Sequence, residues 1–216
     1  HGMTAGELAL LFNDHFGIGC NLIVAPMRGW KRAQWFDETG VTWIAPSPNM
    51  PTPATAAVYP GMCFAEGTQL SEGRGTTLPF EQCGAPYIDS HKLACSLMAE
   101  NLPGVYFRAQ YFKPVFHKWA NETCGGVQLH VTDRKRFKPV LTGIAVLRAT
   151  FKLYPRKFKW RTEPYEFVSD RPAIDLLYGN PDLREDLITQ NLSDVEESWE
   201  KDLKEFAKLR KQYLLY

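Results

Sequence analysis

Hydrophobic and polar residues alternate along some parts of the chain and recur every three or four positions along others. Residues 105–112 and 127–131 follow the two-residue period of β-strands, with mainly apolar side chains on one side. The helical period is present in five other stretches, which begin near residues 4, 89, 132, 174 and 193. Short apolar runs at 22–25 and around Trp43 predict two further strands. Helices and strands therefore follow one another along the chain, and we predict a protein of the α/β class.

The first and last of these helices carry the clearest start signals. Thr4 and Glu7 have the spacing of a capping box, and so have Ser193 and Glu196. The helix that begins near Ser193 is predicted to be continuous and to lie on the outside of a core, because its apolar stripe is backed by a charged face. The stripe consists of Val195, Trp199, Leu203, Phe206, Leu209 and Tyr213.

A proline-rich stretch at 46–53 divides the chain. Four prolines in eight residues favour a stiff, extended connection, so we place a domain boundary there, with one domain at 1–46 and another at 47–216. The chain begins with His1, almost inside a helix signature, and a short predicted strand follows that helix. We therefore expect residues 1–46 to be the end of a domain whose earlier part precedes this sequence.

Composition and charge narrow the class of protein. Of the 216 residues 44% are hydrophobic, which is ample for a packed core and argues against a disordered chain. A formal net charge of +1 argues against a broad basic surface for nucleic acid. No apolar run approaches the roughly 18 residues of a membrane span. No signal peptide is present, and because the chain reads as a piece, this says nothing about its compartment.

The five cysteines do not follow a known pattern. None forms a CxxC pair, so a zinc ribbon or a thioredoxin-type site is not expected. The odd count leaves at least one thiol free, and we predict that most of the five are small buried residues.

The stretch at 61–89 combines glycines with the densest set of charged side chains that could act together. Glu66, Glu72 and Arg74 lie within nine residues, and Pro79 leads into a predicted helix. Glycines let a backbone approach a ligand closely. Paired carboxylates can supply an acid and a base or nucleophile for glycoside hydrolysis, and an arginine can bind a substrate carboxylate through two hydrogen bonds. The alternative is a solvated surface loop whose glycines serve turns.

Two other groups of residues are candidates for a functional site. Cys124 with His117 or His130 could form the Cys–His pair of a cysteine hydrolase. A cysteine beside two glycines is, however, more often a tight packing site. His130 also lies at the end of a predicted strand, where ligands of α/β proteins often bind, or it is a hydrogen-bonded structural residue. No partners at metal-ligand spacing accompany it, so neither a metal nor another cofactor is expected.

Five separated motifs, in order along nearly the whole chain, resemble the NamZ-type exo-β-N-acetylmuramidase family, long catalogued as a domain of unknown function. They are HGMTAGELALLFN (1–13), WFDETGVTWIAPSPNMPT (35–52), VYPGMCFAEGTQLSEGRGTTLPFEQCGAPYID (58–89), CGGVQLHVTDRKRFKPVLTG (124–143) and LRKQYLLY (209–216). The resemblance implies a Rossmann-like N-terminal domain followed by a smaller α+β domain, with a substrate cleft between or beside them. Residues 1–46 would then be the last helix and strands of the Rossmann-like domain.

The resemblance also implies an activity and a set of site residues. The activity is metal-independent hydrolysis of terminal β-linked N-acetylmuramic acid (MurNAc) from peptidoglycan-derived muropeptides or disaccharides, by an enzyme usually exported from bacteria. Glu72 is the candidate catalytic residue here, although the family's main catalytic carboxylate is expected upstream. Asn49, Glu66, Arg74 and His130 are the candidate substrate-binding residues. A second hypothesis is a non-catalytic carbohydrate-binding domain that forms one wall of a site completed by the missing part.

Overall fold

The computed structural model describes all 216 residues, with eight α-helices and three β-strands. The helices are α1 Ala5–His15, α2 Pro53–Met62, α3 Ser90–Ala99, α4 Pro139–Leu153, α5 Ala173–Tyr178, α6 Asp182–Asp186, α7 Leu192–Ser198 and α8 Glu200–Arg210. The strands are β1 Gln82–Ala85, β2 Val105–Phe112 and β3 Cys124–Val131. This mixture of helices with a small sheet confirms the predicted α/β class. None of the helices is long and apolar enough to cross a membrane.

The chain divides into two compact units, one of residues 43–192 and one of residues 1–42 with 193–216. The predicted domain boundary at residue 46 stays a prediction.

The larger unit is built on an antiparallel sheet of strand order β1-β3-β2. One face of the sheet is apolar and includes Phe107 and Val127, both buried, and α3 packs against the sheet. The opposite face carries Gln128, which pairs with Gln82 on one side and with Arg108 on the other. The sheet therefore has one side that belongs to the core and one side that is polar, as expected for an antiparallel sheet.

Helices α2 and α4 cross in direct backbone contact. A Cβ atom added to Gly61 would lie 1.8 Å from the Pro139 carbonyl oxygen, and one added to Gly143 would lie 2.2 Å from the Gly61 carbonyl oxygen. No side chain larger than hydrogen fits at either position. Helix α4 is the most deeply buried helix, because every residue from 141 to 150 is buried. The short turn at Cys63–Gly67, which follows α2, packs against both of these helices.

The smaller unit is organised around Glu7 at the start of α1. The predicted capping box is confirmed, because Glu7 accepts a hydrogen bond from the Thr4 N–H at 2.8 Å while the Glu7 N–H is directed at the Thr4 hydroxyl. The buried Glu7 carboxylate also accepts a hydrogen bond from the Leu215 N–H at 2.8 Å and pairs with Arg32. One carboxylate thus ties the first helix to the C-terminal residues.

Three predicted elements are wrong. Residues 22–25 and Trp43 lie in no strand, and Ile23 is 86% exposed. A strand needs a partner for its backbone hydrogen bonds, and an apolar run alone does not supply one. No helix follows Pro79 either, since the chain passes through turns directly into β1.

Two helices begin or end elsewhere than predicted. Helix α4 begins at Pro139 instead of near residue 132, because Asp133 binds the Lys135 and Arg136 N–H groups in a separate turn. The last helix is divided into α7 and α8 at Trp199. The Ser198 hydroxyl donates a hydrogen bond to the Val195 carbonyl at 2.7 Å, a local bond that competes with helix continuation.

Candidate functional site

The glycine-rich stretch folds back on itself before it enters the sheet. Ser71 and Gly84 exchange two backbone hydrogen bonds of 2.8 and 3.0 Å, so the residues between them form a closed loop. Gly75 has φ +79, and a Cβ atom there would lie 2.6 Å from the Phe116 carbonyl oxygen. The Val115 N–H donates to the Gly75 carbonyl at 2.9 Å. Glycine is needed at position 75 because another backbone segment, residues 113–122, packs directly on the loop.

Arg74 in this loop forms an ion pair with Glu66, which precedes the loop. An Nη2 hydrogen of Arg74 bonds Glu66 Oε1 at 2.7 Å, and the Tyr165 hydroxyl donates to Glu66 Oε2 at 2.9 Å. Burial, together with the negative charge of Glu66, raises the pKa of Tyr165 and keeps its hydroxyl protonated as a donor. The Arg74 guanidinium lies over the Phe80 ring, 5.2 Å from its centre. The arginine is therefore held on two sides, and 23% of its side chain remains exposed.

Glu72 is fully buried and lies beside Lys118, Arg74 and the imidazole of His117. Lys118 Nζ lies 3.0 Å from Glu72 Oε2, while His117 Nδ1 and Arg74 Nε lie 3.2 and 3.5 Å from Glu72 Oε1. Burial alone would raise the pKa of Glu72, but His117, Lys118 and Arg74 together outweigh it and lower the pKa to about 2. Glu72 is consequently ionised near neutral pH and has no proton to donate to a leaving group.

Lys118 holds the 113–122 segment against the glycine-rich stretch. Its ammonium group donates to the Ala65 and Leu70 carbonyl oxygens at 2.9 and 3.1 Å, in addition to Glu72. The neighbouring Trp119 donates from its indole nitrogen to the Gln69 carbonyl at 2.7 Å. Two consecutive side chains therefore fix this segment.

A cavity of about 690 Å³ adjoins the cluster. Its wall contains more basic than acidic side chains and one tryptophan, a combination that suits an oxygen-rich or anionic ligand. The lining residues are Thr68, Gln69, His117, Lys118, Lys159, Trp160, Arg161, Thr162 and Glu163.

The structure brings together three of the five predicted site residues, namely Glu66, Glu72 and Arg74. Asn49 lies in a turn before α2, where its N–H donates to the Ser47 hydroxyl at 3.2 Å. His130 is exposed on β3, with its ring 6.5 Å from the ring of Tyr106 on β2. Neither Asn49 nor His130 forms a hydrogen bond or ion pair with the other three. The roles assigned to all five residues stay predictions.

The cysteine-hydrolase hypothesis is wrong. Cys124 is buried, burial and the nearby Glu122 raise the pKa of its thiol to about 12, and no histidine lies within hydrogen-bond distance. The adjoining glycines serve packing, since a Cβ atom at Gly125 would lie 2.0 Å from the Ile88 carbonyl oxygen. All five thiols are free, and only Cys83 and Cys124 are buried, so the prediction that most are buried is also wrong.

Three residues of the cluster were not predicted as members of it. Tyr165 and Lys118 reach Glu66 and Glu72 across 99 and 46 positions of sequence, and His117 was considered only as a partner of Cys124. Their only sequence signal is that they belong to basic and aromatic stretches. No group of three histidine, cysteine or carboxylate side chains in the structure could hold a metal ion.

Comparisons with known proteins point to one family. The family model for the C-terminal domain of the exo-β-N-acetylmuramidase NamZ matches residues 57–216, and the model for its N-terminal domain matches residues 1–54. The peptidoglycan β-N-acetylmuramidase NamZ of Bacillus subtilis (strain 168) is 47% identical over 219 residues, which cover 100% of this chain and 50% of that protein.

Two solved structures are also similar, both of DUF1343 family proteins from Bacteroides fragilis NCTC 9343. The first has a TM-score of 0.88 and 32% identity, and the match covers 99% of this chain and 56% of the solved chain. The second has a TM-score of 0.73 and 27% identity, and the match covers 100% of this chain and 56% of the solved chain. The chain thus spans about half the length of the relatives that it matches.

Proposed function

The chain belongs to the NamZ exo-β-N-acetylmuramidase family, and from this premise we propose that the whole protein removes β-linked MurNAc from the non-reducing end of peptidoglycan fragments. The observation that carries the proposal is Arg74, which Glu66 and Phe80 hold in place with 23% of its side chain still exposed. A peptidoglycan substrate also makes an extracytoplasmic location the expected one. The partners would be muropeptides or MurNAc-containing disaccharides.

Arg74 can bind the group that distinguishes such a substrate from other sugars. MurNAc differs from N-acetylglucosamine (GlcNAc) by a lactyl group that ends in a carboxylate. Glu66 occupies one Nη2 hydrogen of Arg74, so the remaining Nη hydrogens can bind that carboxylate. No helix N-terminus adds to this attraction, because the predicted helix after Pro79 is absent. Selectivity for the muramic sugar would therefore depend on Arg74 itself.

Both carboxylates of the site are paired with cationic side chains of the protein. Glu66 is paired with Arg74 and Tyr165, and Glu72 is paired with Lys118 and has a pKa of about 2. This favours a second candidate function for residues 43–192, a carbohydrate-binding wall that contributes recognition while the proton donor lies elsewhere in the whole protein. The prediction of Glu72 as a catalytic residue remains open, but its geometry is that of a positioning group.

The proposed function is tested with the whole protein and two chromogenic substrates, a β-N-acetylmuramide and the matching β-N-acetylglucosaminide. We expect release of the chromophore from the muramide and little or none from the glucosaminide. Failure to hydrolyse any muramic substrate, with the protein folded, would contradict the proposal. Tight binding of MurNAc without turnover would favour the carbohydrate-binding function instead.

A further inference from the structure

Glu72 has one oxygen atom that is left without a well-aligned hydrogen bond. Oε2 is bound by Lys118, whereas Oε1 has His117 Nδ1 at 3.2 Å and Arg74 Nε at 3.5 Å, and neither contact meets the geometry of a hydrogen bond. A fully buried carboxylate oxygen in this state is costly unless a donor can align with it. The His117 imidazole is the closer donor, and 38% of the His117 side chain is exposed, so its ring has room to turn.

The backbone presents His117 directly before two anchored side chains. Lys118 is bound to carbonyl oxygens of the glycine-rich stretch, and Trp119 is bound to the Gln69 carbonyl. His117, Trp119 and Asn121 all have left-handed φ values, of 70°, 59° and 65°. Such conformations are sparsely populated and persist where neighbouring contacts hold them. The segment therefore places the His117 ring at a defined position beside Glu72.

A small turn of the His117 ring would let Nδ1–H donate to the ionised Glu72 carboxylate, and Nε2 of the neutral imidazole would then be left as an acceptor. The ring of His117 also lines the cavity of about 690 Å³. The charged groups around it are Glu72, Arg74 and Lys118 in the cluster and Lys159, Arg161 and Glu163 on the cavity wall. Apart from Glu163, the charged side chains of the cavity wall are all cationic hydrogen-bond donors, namely Lys118, Lys159 and Arg161.

We propose that His117 Nε2 accepts a hydrogen bond from a hydroxyl group of the sugar substrate, and that Glu72 is the positioning residue that orients the imidazole for this contact. The proposal rests on the proposed function and assigns Glu72 a different role from proton transfer. Arg74 would bind the carboxylate of the muramic sugar, and His117 would bind a hydroxyl of the same ligand. A hydroxyl donor on the ligand and an acceptor on the protein form a complementary pair.

The decisive variant is His117→Asn in the whole protein. Asparagine tolerates a left-handed φ, and its amide can still donate to Glu72, but it is too short to place an acceptor where Nε2 lies. We expect KM for a chromogenic β-N-acetylmuramide to rise about tenfold or more, with kcat within about twofold of wild type, because the contact is made in both the ground and the transition state. His91→Asn, an exposed histidine on α3, is the matched control and should leave KM unchanged.

Glu72→Gln and the double variant test the positioning role. If Glu72 acts through His117, the double variant should raise KM no more than the larger of the two single effects. Additive effects would overturn the positioning role. An unchanged KM in His117→Asn, or a loss confined to kcat, would overturn the recognition role.

A binding measurement keeps this inference separable from the proposed activity. With ¹³C-labelled histidine, MurNAc should shift the His117 ring signal, which is identified by its absence from the spectrum of His117→Asn. Such a shift would support the contact even if the protein turned over no substrate. Absence of turnover would contradict the exo-muramidase proposal but not the inference about His117. A His117 signal that does not respond to saturating MurNAc would overturn the inference.

Discussion

The ammonium group of Lys118 joins the 113–122 segment to the glycine-rich stretch. It contacts three backbone carbonyls and the carboxylate of Glu72, and only 17% of its side chain is exposed. Removing one partner of a buried ion pair leaves the other charge without compensation. The cost of losing Lys118 should therefore exceed that of losing an ordinary surface lysine.

Lys118→Met is predicted to lower the free energy of unfolding by about 3 kcal/mol or more, because it leaves Glu72 buried beside only weakly aligned donors. Urea denaturation followed by tryptophan fluorescence measures the change. Lys113→Met is the matched control, since Lys113 is exposed in the same segment, and it should alter stability by less than about 0.5 kcal/mol. Equal effects of the two substitutions would contradict the role given to Lys118.

The pKa of Glu72 predicts how stability responds to acid. Its folded-state pKa of about 2 lies below the ordinary value of 4.5, so the folded state releases this proton more readily than the unfolded chain. The stabilisation is complete above pH 4.5 and is lost as the pH falls toward 2. Glu72→Gln should flatten the decrease of the unfolding free energy over this pH window. An unchanged slope would show that other carboxylates dominate acid unfolding.

At the level of elements, one of the two predicted capping boxes formed, whereas Ser193 lies inside α7, which begins at Leu192. The start of α1 follows from Thr4 and Glu7, whose side chains satisfy N–H groups within the same turn. Strands depend on a distant partner, so the apolar run at 22–25 forms none, whereas 105–112 does because β3 lies beside it. The break at Trp199 was not predictable from periodicity, because the apolar stripe continues across it.

The crossing of α2 and α4 gives a prediction at the same scale. Gly143→Ala should destabilise the protein by about 1–3 kcal/mol, because the added methyl group would lie 2.2 Å from the Gly61 carbonyl oxygen. Thermal unfolding followed by circular dichroism measures the loss. Gly6→Ala in α1 is the comparison variant, and we expect a smaller loss there because its nearest neighbour is a side-chain methyl group of Val24 and not backbone. If Gly143→Ala proved as well tolerated as the comparison variant, the close crossing would be wrong.

On the scale of the whole molecule, the sequence located part of the site and missed what completes it. Glu66, Glu72 and Arg74 were predictable because they lie within one short stretch, and the fold keeps them together. Tyr165 was not predictable, because it reaches Glu66 from 99 residues away and no spacing rule links the two. The environment that lowers the pKa of Glu72 likewise exists only after folding.

The chain also carries only part of what its family relatives contain. It spans about half of the curated relative from Bacillus subtilis and 56% of each similar solved structure. We proposed above that recognition and proton donation lie in different parts of the whole protein, and this proposal follows from the partial coverage and from the paired carboxylates. This chain would recognise the muramic sugar, and the remainder of the whole protein would supply the proton donor.

The most direct measurement compares two competing sugars in the wild-type whole protein and in Arg74→Ala. Inhibition constants for MurNAc and GlcNAc are determined against a chromogenic muramide, with thermal unfolding as a check on the fold. We predict that the substitution weakens MurNAc binding about tenfold to a hundredfold and GlcNAc binding less than about threefold, since only the former carries the carboxylate. Equal losses for the two sugars would contradict the assignment of Arg74 and, with it, the recognition site described for this chain.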